Sequence, residues 1–221
     1  MSGRQVRSIA RRLSRLARLE CDNGLMNWDK WRHYIRARAL ELVRQHDLAM
    51  AGYRDALASD PSFRRAANAL AYRSALAGRD REAIECFERV VKLDPRDATA
   101  HFNLAFVYGK AGDQRKAVER FRSAVELNPK LDRAWYGLGL AHATLGEHRE
   151  AMEALEHAAR LQPMAAPIWY QYGMACHHAH EPDGVRRVIH HLNRFDPATT
   201  RRLILDAERA DLAHLVKDLE V

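Results

Sequence analysis

The side chains best suited to chemistry are histidines and a cysteine near the C-terminal end of the chain. The candidate cluster comprises Cys176, His177, His178 and His180 in the segment CHHAH, with His190 and His191 in the next segment. Imidazole and thiolate groups at such spacing can bind transition metals. Adjacent histidines on a helix diverge by about 100°, so only part of the set can converge on one ion. The pattern favours solvent-facing histidines, with a histidine-bound metal enzyme as the alternative.

Signatures of catalysis are absent from the sequence. It contains no G-x-S-x-G, P-loop, H-E-x-x-H or Rossmann glycine pattern, the arrangements that place nucleophiles, phosphates, metals and dinucleotides. We therefore assign no catalytic residue and expect no cofactor and no metal site. The sequence predicts a protein that is not an enzyme.

Cysteine usage and hydropathy restrict the compartment. Cys21, Cys86 and Cys176 are far apart and form no C-x-x-C pair, which argues against a disulfide framework and fits a reducing compartment. No apolar run approaches the roughly 18 residues of a membrane-spanning helix. The N-terminal segment lacks the apolar centre of a secretory signal, although RQVRSIARRLSRLAR leaves an organellar targeting helix open. We expect a cytoplasmic protein, or one attached peripherally to a membrane.

Positive charge is concentrated at the N-terminal end. The chain of 221 residues has a formal net charge of +7, and residues 1–38, with ten bases and three acids, contain all of it. The rest of the chain is neutral overall. A hydrophobic content of 47% is enough to bury a core and excludes a disordered chain.

The prolines reveal an internal repeat with a period of 34 residues. Five of the seven follow this spacing, at Pro61, Pro95, Pro129, Pro163 and Pro197. Eight residues before each proline stands a large apolar residue: Tyr53, Phe87, Phe121, Leu155 and Ile189. Twelve residues before it stands a small or β-branched one: Ala49, Ala83, Ala117, Ala151 and Val185. A fixed period of this length is typical of a solenoid of stacked units.

One unit shows the whole pattern. The segment ATAHFNLAFVYGKAGDQRKAVERFRSAVELNPKL contains Leu104, Ala105, Tyr108, Gly112, Ala117, Phe121, Ala124 and Pro129. In these residues the chain resembles the tetratricopeptide repeat family, whose 34-residue unit carries this series. The resemblance covers Lys30 to Thr199 and is strongest in the second to fourth repeats. His33, Arg44, His180, Val185 and Leu192 depart from it.

The resemblance implies an all-α fold, a right-handed solenoid of helix-turn-helix repeats. The five repeats are expected at 30–63, 64–97, 98–131, 132–165 and 166–199, between a basic helix and turn at 1–29 and a capping helix at 200–221. In the third repeat we predict helices over roughly 98–111 and 115–127, with Gly112 at positive φ in the turn. Pro129 should end the second helix because it lacks an N–H group. Neighbouring pairs must stack to bury their apolar faces.

The two ends of the chain are predicted to be amphipathic. In residues 3–20 the apolar Val6, Ile9, Ala10, Leu13, Leu16 and Ala17 share one side of a helix, and Arg4, Arg7, Arg11, Arg12, Arg15 and Arg18 occupy the other. This helix packs on the first repeat, lies on an anionic membrane surface, or docks in a groove of its own or another chain. Nucleic acid is not expected, since no aromatic residues are interleaved with the bases. Near the C-terminus, Leu212, Leu215, Val216 and Leu219 form one stripe.

In the family, the first helix of each repeat lines a concave groove. The matching positions of this chain are Tyr34, Arg38, Arg65, Asn68, Tyr72, Phe102, Phe106, Lys110, Arg133, Tyr136, Leu140, Tyr170 and Met174. Aromatic rings with a few cationic and amide donors are typical of protein-binding surfaces. The Lys/Asn/Arg clamp that some relatives use for chaperone tails is not matched, because Tyr34, Arg38 and Ala69 occupy its positions.

These observations predict a non-enzymatic scaffold or adaptor. The expected partner is a protein that places a peptide or helix in the groove, and self-association is a further option. A membrane-surface assembly platform that uses residues 3–20 is the alternative from another class.

Overall fold

The computed structural model describes the backbone of residues 28–219 and the side chains of residues 28–216. The basic helix predicted over residues 3–20, and Cys21, lie outside these residues. All regular structure within residues 28–219 is helical, which confirms the predicted all-α class.

Eleven α-helices and one 3₁₀ helix follow one another in the described residues. They are α1 (Trp28–Leu42), α2 (His46–Ser59), α3 (Arg64–Leu76), α4 (Asp80–Leu93), α5 (Ala98–Lys110), α6 (Gln114–Leu127), α7 (Asp132–Thr144), α8 (His148–Leu161), α9 (Ala166–His178), α10 (Pro182–Leu192), α11 (Pro197–Asp206) and the 3₁₀ helix (Ala210–Leu219). In the third repeat, α5 and α6 agree with the predicted helices to within one residue at each end.

The described residues form two compact units, the first ending at Arg96 and the second beginning at Asp97. The described part of the first unit contains two packed helix pairs, α1 with α2 and α3 with α4. The second unit contains three pairs, α5 with α6, α7 with α8, and α9 with α10, followed by α11 and the 3₁₀ helix. Three residues join the members of each pair, a length that makes neighbouring helices antiparallel. This is the helix-turn-helix arrangement that the repeat predicts.

The turns inside the pairs share one backbone conformation. Gly78, Gly112 and Gly146 have φ values of 72°, 89° and 77°, as predicted for Gly112. Arg44 and His180 stand at the same place in the first and last pairs, and both have φ of 59°. The left-handed conformation costs a residue with a side chain about 1–2 kcal/mol. The terminal repeats therefore keep the turn geometry despite losing its glycine.

The repeated small residues lie where helices approach most closely. Ala105, Ala117 and Ala124 are completely buried. A Cβ atom added at Gly139 would lie 2.5 Å from Cγ of Leu155. The large apolar column, from Tyr53 to Ile189, is at most 5% exposed. The two columns therefore have the predicted roles, close approach and filling of the core.

Four of the periodic prolines follow a helix end. Helices α2, α4, α6 and α8 each stop two residues before the proline of their repeat, as predicted. Pro197 differs, because it stands at the start of α11. The Asp196 carboxylate accepts a hydrogen bond from the backbone N–H of Thr199 at 2.9 Å, and proline is well suited to the first turn that such a cap begins.

The C-terminal segment consists of two helices, which differs from the single helix predicted over 200–221. The segment breaks after Asp206, and Glu208 has a positive φ of 52°. Leu203 and Ile204 of α11, together with Leu212 and Val216 of the 3₁₀ helix, join a buried cluster with side chains of α9 and α10. They complete the core of the last helix pair.

Candidate functional site

The predicted groove residues of the first unit lie on α1 and α3, and several already have partners. The Tyr34 ring lies 5.2 Å from the Phe63 ring and 5.7 Å from the Tyr53 ring, so it packs within the unit. Arg38 pairs with Glu41 at 2.6 Å. Asn68 is exposed, and Tyr72 is 57% exposed. Tyr72 is therefore the aromatic residue that this face presents.

Glu41 of α1 connects the first helices of two successive repeats, α1 and α3. It also pairs with Arg73 of α3, at 2.5 Å. Burial acts to raise the pKa of Glu41, but the hydrogen bond from Arg73, the nearby Tyr53 hydroxyl and the arginine charges lower it below its usual value. Burial and the adjacent Glu41 carboxylate raise the pKa of Tyr53. The site thus holds a carboxylate that stays ionised between two arginines.

The predicted groove residues of the second unit lie on α5, α7 and α9. Phe102 packs against Phe121, with 5.9 Å between ring centroids. Tyr136, Leu140, Tyr170 and Met174 are half-buried, and burial raises the pKa of Tyr136. Phe106 is 56% exposed. It is the most exposed ring among the described residues of this face.

Three arginines lie over an aromatic ring that belongs to the first helix of the preceding repeat. The guanidinium of Arg65 lies 5.3 Å from the Trp31 ring centroid, and that of Arg133 lies 5.1 Å from the Phe102 centroid. At the end of the second unit, Arg202 lies 4.7 Å from the Tyr170 centroid. The Tyr170 hydroxyl donates to Asp206 at 2.5 Å. Arg65 and Arg133, predicted as donors to a ligand, thus also serve as cation–π partners within the fold.

Two exposed leucines on the same helices are missing from the predicted set. Leu42 ends α1 and is 70% exposed, and Leu76 ends α3 and is 63% exposed. The 34-residue period places both at the position that Lys110 occupies in the third repeat. The period could therefore have identified them, and they extend the apolar part of the first unit's face beyond Tyr72.

The sequence and fold agree with one known family. Residues 74–112 match the family described as TPR repeat, and residues 107–166 match the family described as tetratricopeptide repeat. This chain is a tetratricopeptide repeat protein. The resemblance read from the 34-residue period is confirmed.

Solved structures of the same class resemble the fold of this tetratricopeptide repeat protein. A crystal structure of MamA superposes with a TM-score of 0.70 at 21% identity, covering 85% of this chain and 98% of MamA. MamA residues 41 to the end from Desulfovibrio magneticus RS-1 give 0.66 at 18% identity, with coverages of 82% and 96%. YrrB, described as a TPR protein with an unusual peptide-binding site, gives 0.72 at 20% identity, with coverages of 90% and 99%. A comparison with curated protein sequences gave no match.

Five histidines of this repeat protein, His148, His157, His177, His178 and His191, pack against one another or against aromatic rings. His178 lies 5.0 Å from His148 and 5.1 Å from His177 between ring centroids. Burial, with the neighbouring His148, His177 and His180, lowers the pKa of His178. No three His, Cys, Asp or Glu side chains within residues 28–216 are placed to hold a metal ion.

The two described cysteines of the repeats are core residues. Cys86 and Cys176 are buried and unbonded to each other. Burial raises the pKa of each thiol to about 11, so neither forms the thiolate that nucleophilic chemistry requires. Among residues 28–219, no helix is long and apolar enough to cross a membrane.

Proposed function

We propose that this tetratricopeptide repeat protein is a non-enzymatic scaffold or adaptor that holds a peptide or helix of a partner protein. The proposed site in the second unit is the face formed by α5, α7 and α9. The observation that carries the proposal is the ring of Phe106, which is 56% exposed on a regular helix. Large exposed rings on rigid elements are typical anchors of protein interfaces.

A column of apolar side chains continues from this ring. Leu140 and Met174 occupy the same repeat position as Phe106 and are half-buried on α7 and α9. Packed helices lie about 8–10 Å apart. A helical partner would meet this spacing with apolar residues seven apart, and an extended one with residues three apart. We expect one of these two patterns in the partner.

Charge at the edge of the face suggests the polar part of the partner. Lys110 and Arg133 are exposed beside the apolar column. Cations at a rim favour partners with acidic residues next to the apolar ones and increase the rate of association. The peptide-binding description of YrrB agrees with this proposal for a chain of similar fold.

The test begins with affinity capture on the full chain and mass spectrometry of the bound protein. The purified partner is then titrated against the wild type and Phe106→Ala by fluorescence anisotropy. Loss of a central anchor costs about 2 kcal/mol, which corresponds to roughly thirtyfold weaker binding. Folding should persist, because Phe106 contributes little to the buried core.

Leu127→Ala is the matched control. Leu127 is a 41% exposed apolar residue at the end of α6, outside the proposed face, and its truncation should leave affinity unchanged. If the partner binds Phe106→Ala as tightly as wild type, or loses affinity only in Leu127→Ala, the face is not the site.

A further inference from the structure

A strongly basic cleft lies against the last helix pair, α9 and α10. It has a volume of about 440 Å³ and lies between α8, α9 and α10 of the second unit. Its charged lining consists of Arg160, Arg186, Arg187, Arg194 and Glu156. We call it the α10 cleft. Neither the proposed partner site nor the histidine cluster includes these arginines.

The wall of the α10 cleft is a fixed aromatic stack. The His191 ring lies 3.9 Å from the Trp169 ring. Both rings are anchored on one carbonyl, since Trp169 Nε1 donates to the Pro163 oxygen at 2.9 Å and His191 Nε2 to the same oxygen at 2.8 Å. A wall held in this way keeps the cleft open without a ligand.

The preceding repeat has the same wall without the basic lining. Trp135 stacks on His157 at 4.4 Å, and its Nε1 donates to the Pro129 carbonyl at 2.9 Å. The positions of Arg186, Arg187 and His190 are taken there by Met152, Glu153 and Glu156. The stack therefore belongs to the repeat architecture, whereas Arg186 and Arg187 are particular to the last pair and Arg194 has Arg160 as its counterpart. The architecture does not require Arg186 or Arg187.

Ion pairs neutralise little of the positive charge of the α10 cleft, although Asp211 lies near enough to be influenced by the charge of Arg186. Arg160 pairs with Glu156 at 2.6 Å, but Arg186, Arg187 and Arg194 form no ion pair with any side chain of residues 28–216. Arg186 and His190 occupy successive turns of α10, and Arg194 follows its end. A bound anion would compensate the positive charge of these arginines.

The size and charge of the cleft define the chemistry of its ligand. Its volume falls within the roughly 300–1,000 Å³ of small-molecule sites. A terminal phosphoryl group carries a charge of about −1.5 to −2 and several acceptor oxygens. Each further linked group adds negative charge and acceptor oxygens, so two or three linked groups match the arginines in a small space. Peptide carboxylates carry one charge each and would need a longer segment. One guanidinium group can donate two parallel hydrogen bonds to the oxygens of one phosphate.

We propose that the α10 cleft binds a small molecule through an oligophosphate group, a diphosphate or triphosphate held by Arg186, Arg187 and Arg194. The aromatic wall of Trp169 and His191 borders the remainder of the ligand. The site is separate from the proposed partner face and stands independently of it.

Isothermal titration calorimetry of the full chain with inorganic tripolyphosphate tests the proposal. We expect one site per chain, and Arg186→Gln with Arg194→Gln should weaken binding about tenfold or more, since hydrogen bonds between charged groups are the strong ones. The triple variant Arg186→Met, Arg187→Glu, His190→Glu carries the residues of the preceding repeat and should abolish binding. Far-UV circular dichroism verifies folding of each variant.

Arg120→Gln with Arg122→Gln is the matched control, because it removes the same charge from α6 of the same unit. It should bind tripolyphosphate as wild type does. Equal binding by all variants would place the interaction elsewhere, for example at the arginines of residues 1–38, and would overturn the proposal. Absence of binding to wild type would overturn it as well.

Further titrations distinguish the ligand source and class. ATP binding at least as tight as tripolyphosphate would support a nucleotide, and weaker binding an inorganic oligophosphate. Citrate of similar charge should bind much less tightly, and equal affinity would contradict the phosphate assignment. A phosphoserine peptide that bound more tightly than tripolyphosphate would contradict the small-molecule assignment.

Discussion

At the scale of single residues, two glycines of the second unit stand in opposite surroundings. A Cβ atom at Gly139 would lie 2.5 Å from Cγ of Leu155 and 3.2 Å from the Ala151 carbonyl oxygen. A Cβ atom at Gly109 would meet only ordinary contacts, 3.6 Å from Gln114 and 3.7 Å from Ala117. Each glycine lies within the first helix of its repeat, Gly109 in α5 and Gly139 in α7. The same substitution should therefore have opposite effects at the two sites.

We expect Gly139→Ala to destabilise the protein by about 1–3 kcal/mol, because the buried Leu155 and the α8 backbone must move. Gly109→Ala should stabilise it by up to about 1 kcal/mol, the helix-propensity difference between the two residues. Urea denaturation followed by circular dichroism measures both free energies of unfolding. A loss of stability at Gly109, or none at Gly139, would contradict the packing described for these helices.

The 34-residue period identified the residues that build the core. It identified only part of the roles of the residues at the surface. Ala117, Phe121 and the turn glycine were predictable because each role recurs every 34 residues. The stacking of Arg133 on Phe102 was not, because it depends on where a flexible side chain comes to rest between two helices. The packing of Tyr34 against Phe63 was hidden for the same reason.

At the scale of elements, an ion pair connects the start of one helix with the end of the next. Lys30 in the first turn of α1 pairs with Asp60, the C-cap of α2, at 2.6 Å. Arg64 and Asp94 form the equivalent pair on α3 and α4. The first pair is largely buried, with exposures of 20% and 18%, whereas the second is about half exposed. The two pairs should therefore differ in their contribution to stability.

Asp60→Asn should cost about 1–2 kcal/mol at neutral pH. Hydrogen bonds from Lys30 and Ser62 lower the pKa of Asp60 from 3.8 to about 2. A lowered folded-state pKa means that the contribution is complete above pH 3.8 and disappears as the pH falls through about 2. Urea unfolding of wild type and variant across this range should show the two stabilities converging in acid.

Asp94→Asn is the control for this pair. Because both partners are about half exposed, its loss should cost less than about 1 kcal/mol. Equal costs for the two substitutions would mean that burial does not determine the strength of these pairs.

The helix boundaries were predictable where the repeat is regular, but the prediction was wrong at the last repeat. The prolines of the first four repeats mark helix ends, but Pro197 begins α11. Proline fits both contexts because it has no N–H group. A residue just after a helix end and a residue in a first turn both need no N–H for an intrahelical hydrogen bond. Only the Asp196 cap distinguishes them, and its bond to Thr199 is visible in the structure alone.

At the scale of the whole molecule, the division into two units was not predictable from the period. The units meet between Arg96 and Asp97, yet the pattern continues through residues 64–131 without interruption. The distribution of charge, by contrast, is a property of the sequence. Residues 1–38 carry the whole net charge of +7, and electrostatic binding to large anionic surfaces should depend on them.

Removal of residues 1–20 tests this dependence. The segment contributes six arginines and one glutamate, and basic amphipathic segments of this kind bind anionic bilayers through combined charge and apolar contact. We expect the full chain to float with vesicles rich in anionic lipid and the truncated chain to remain at the bottom of the gradient. We expect neither chain to float with neutral vesicles. High salt should release the full chain from anionic vesicles because its charges are screened. The variant Ile9→Gln with Leu13→Gln keeps every charge and should bind more weakly if the apolar side enters the interface. Equal flotation of the full and truncated chains would place membrane attraction outside this segment.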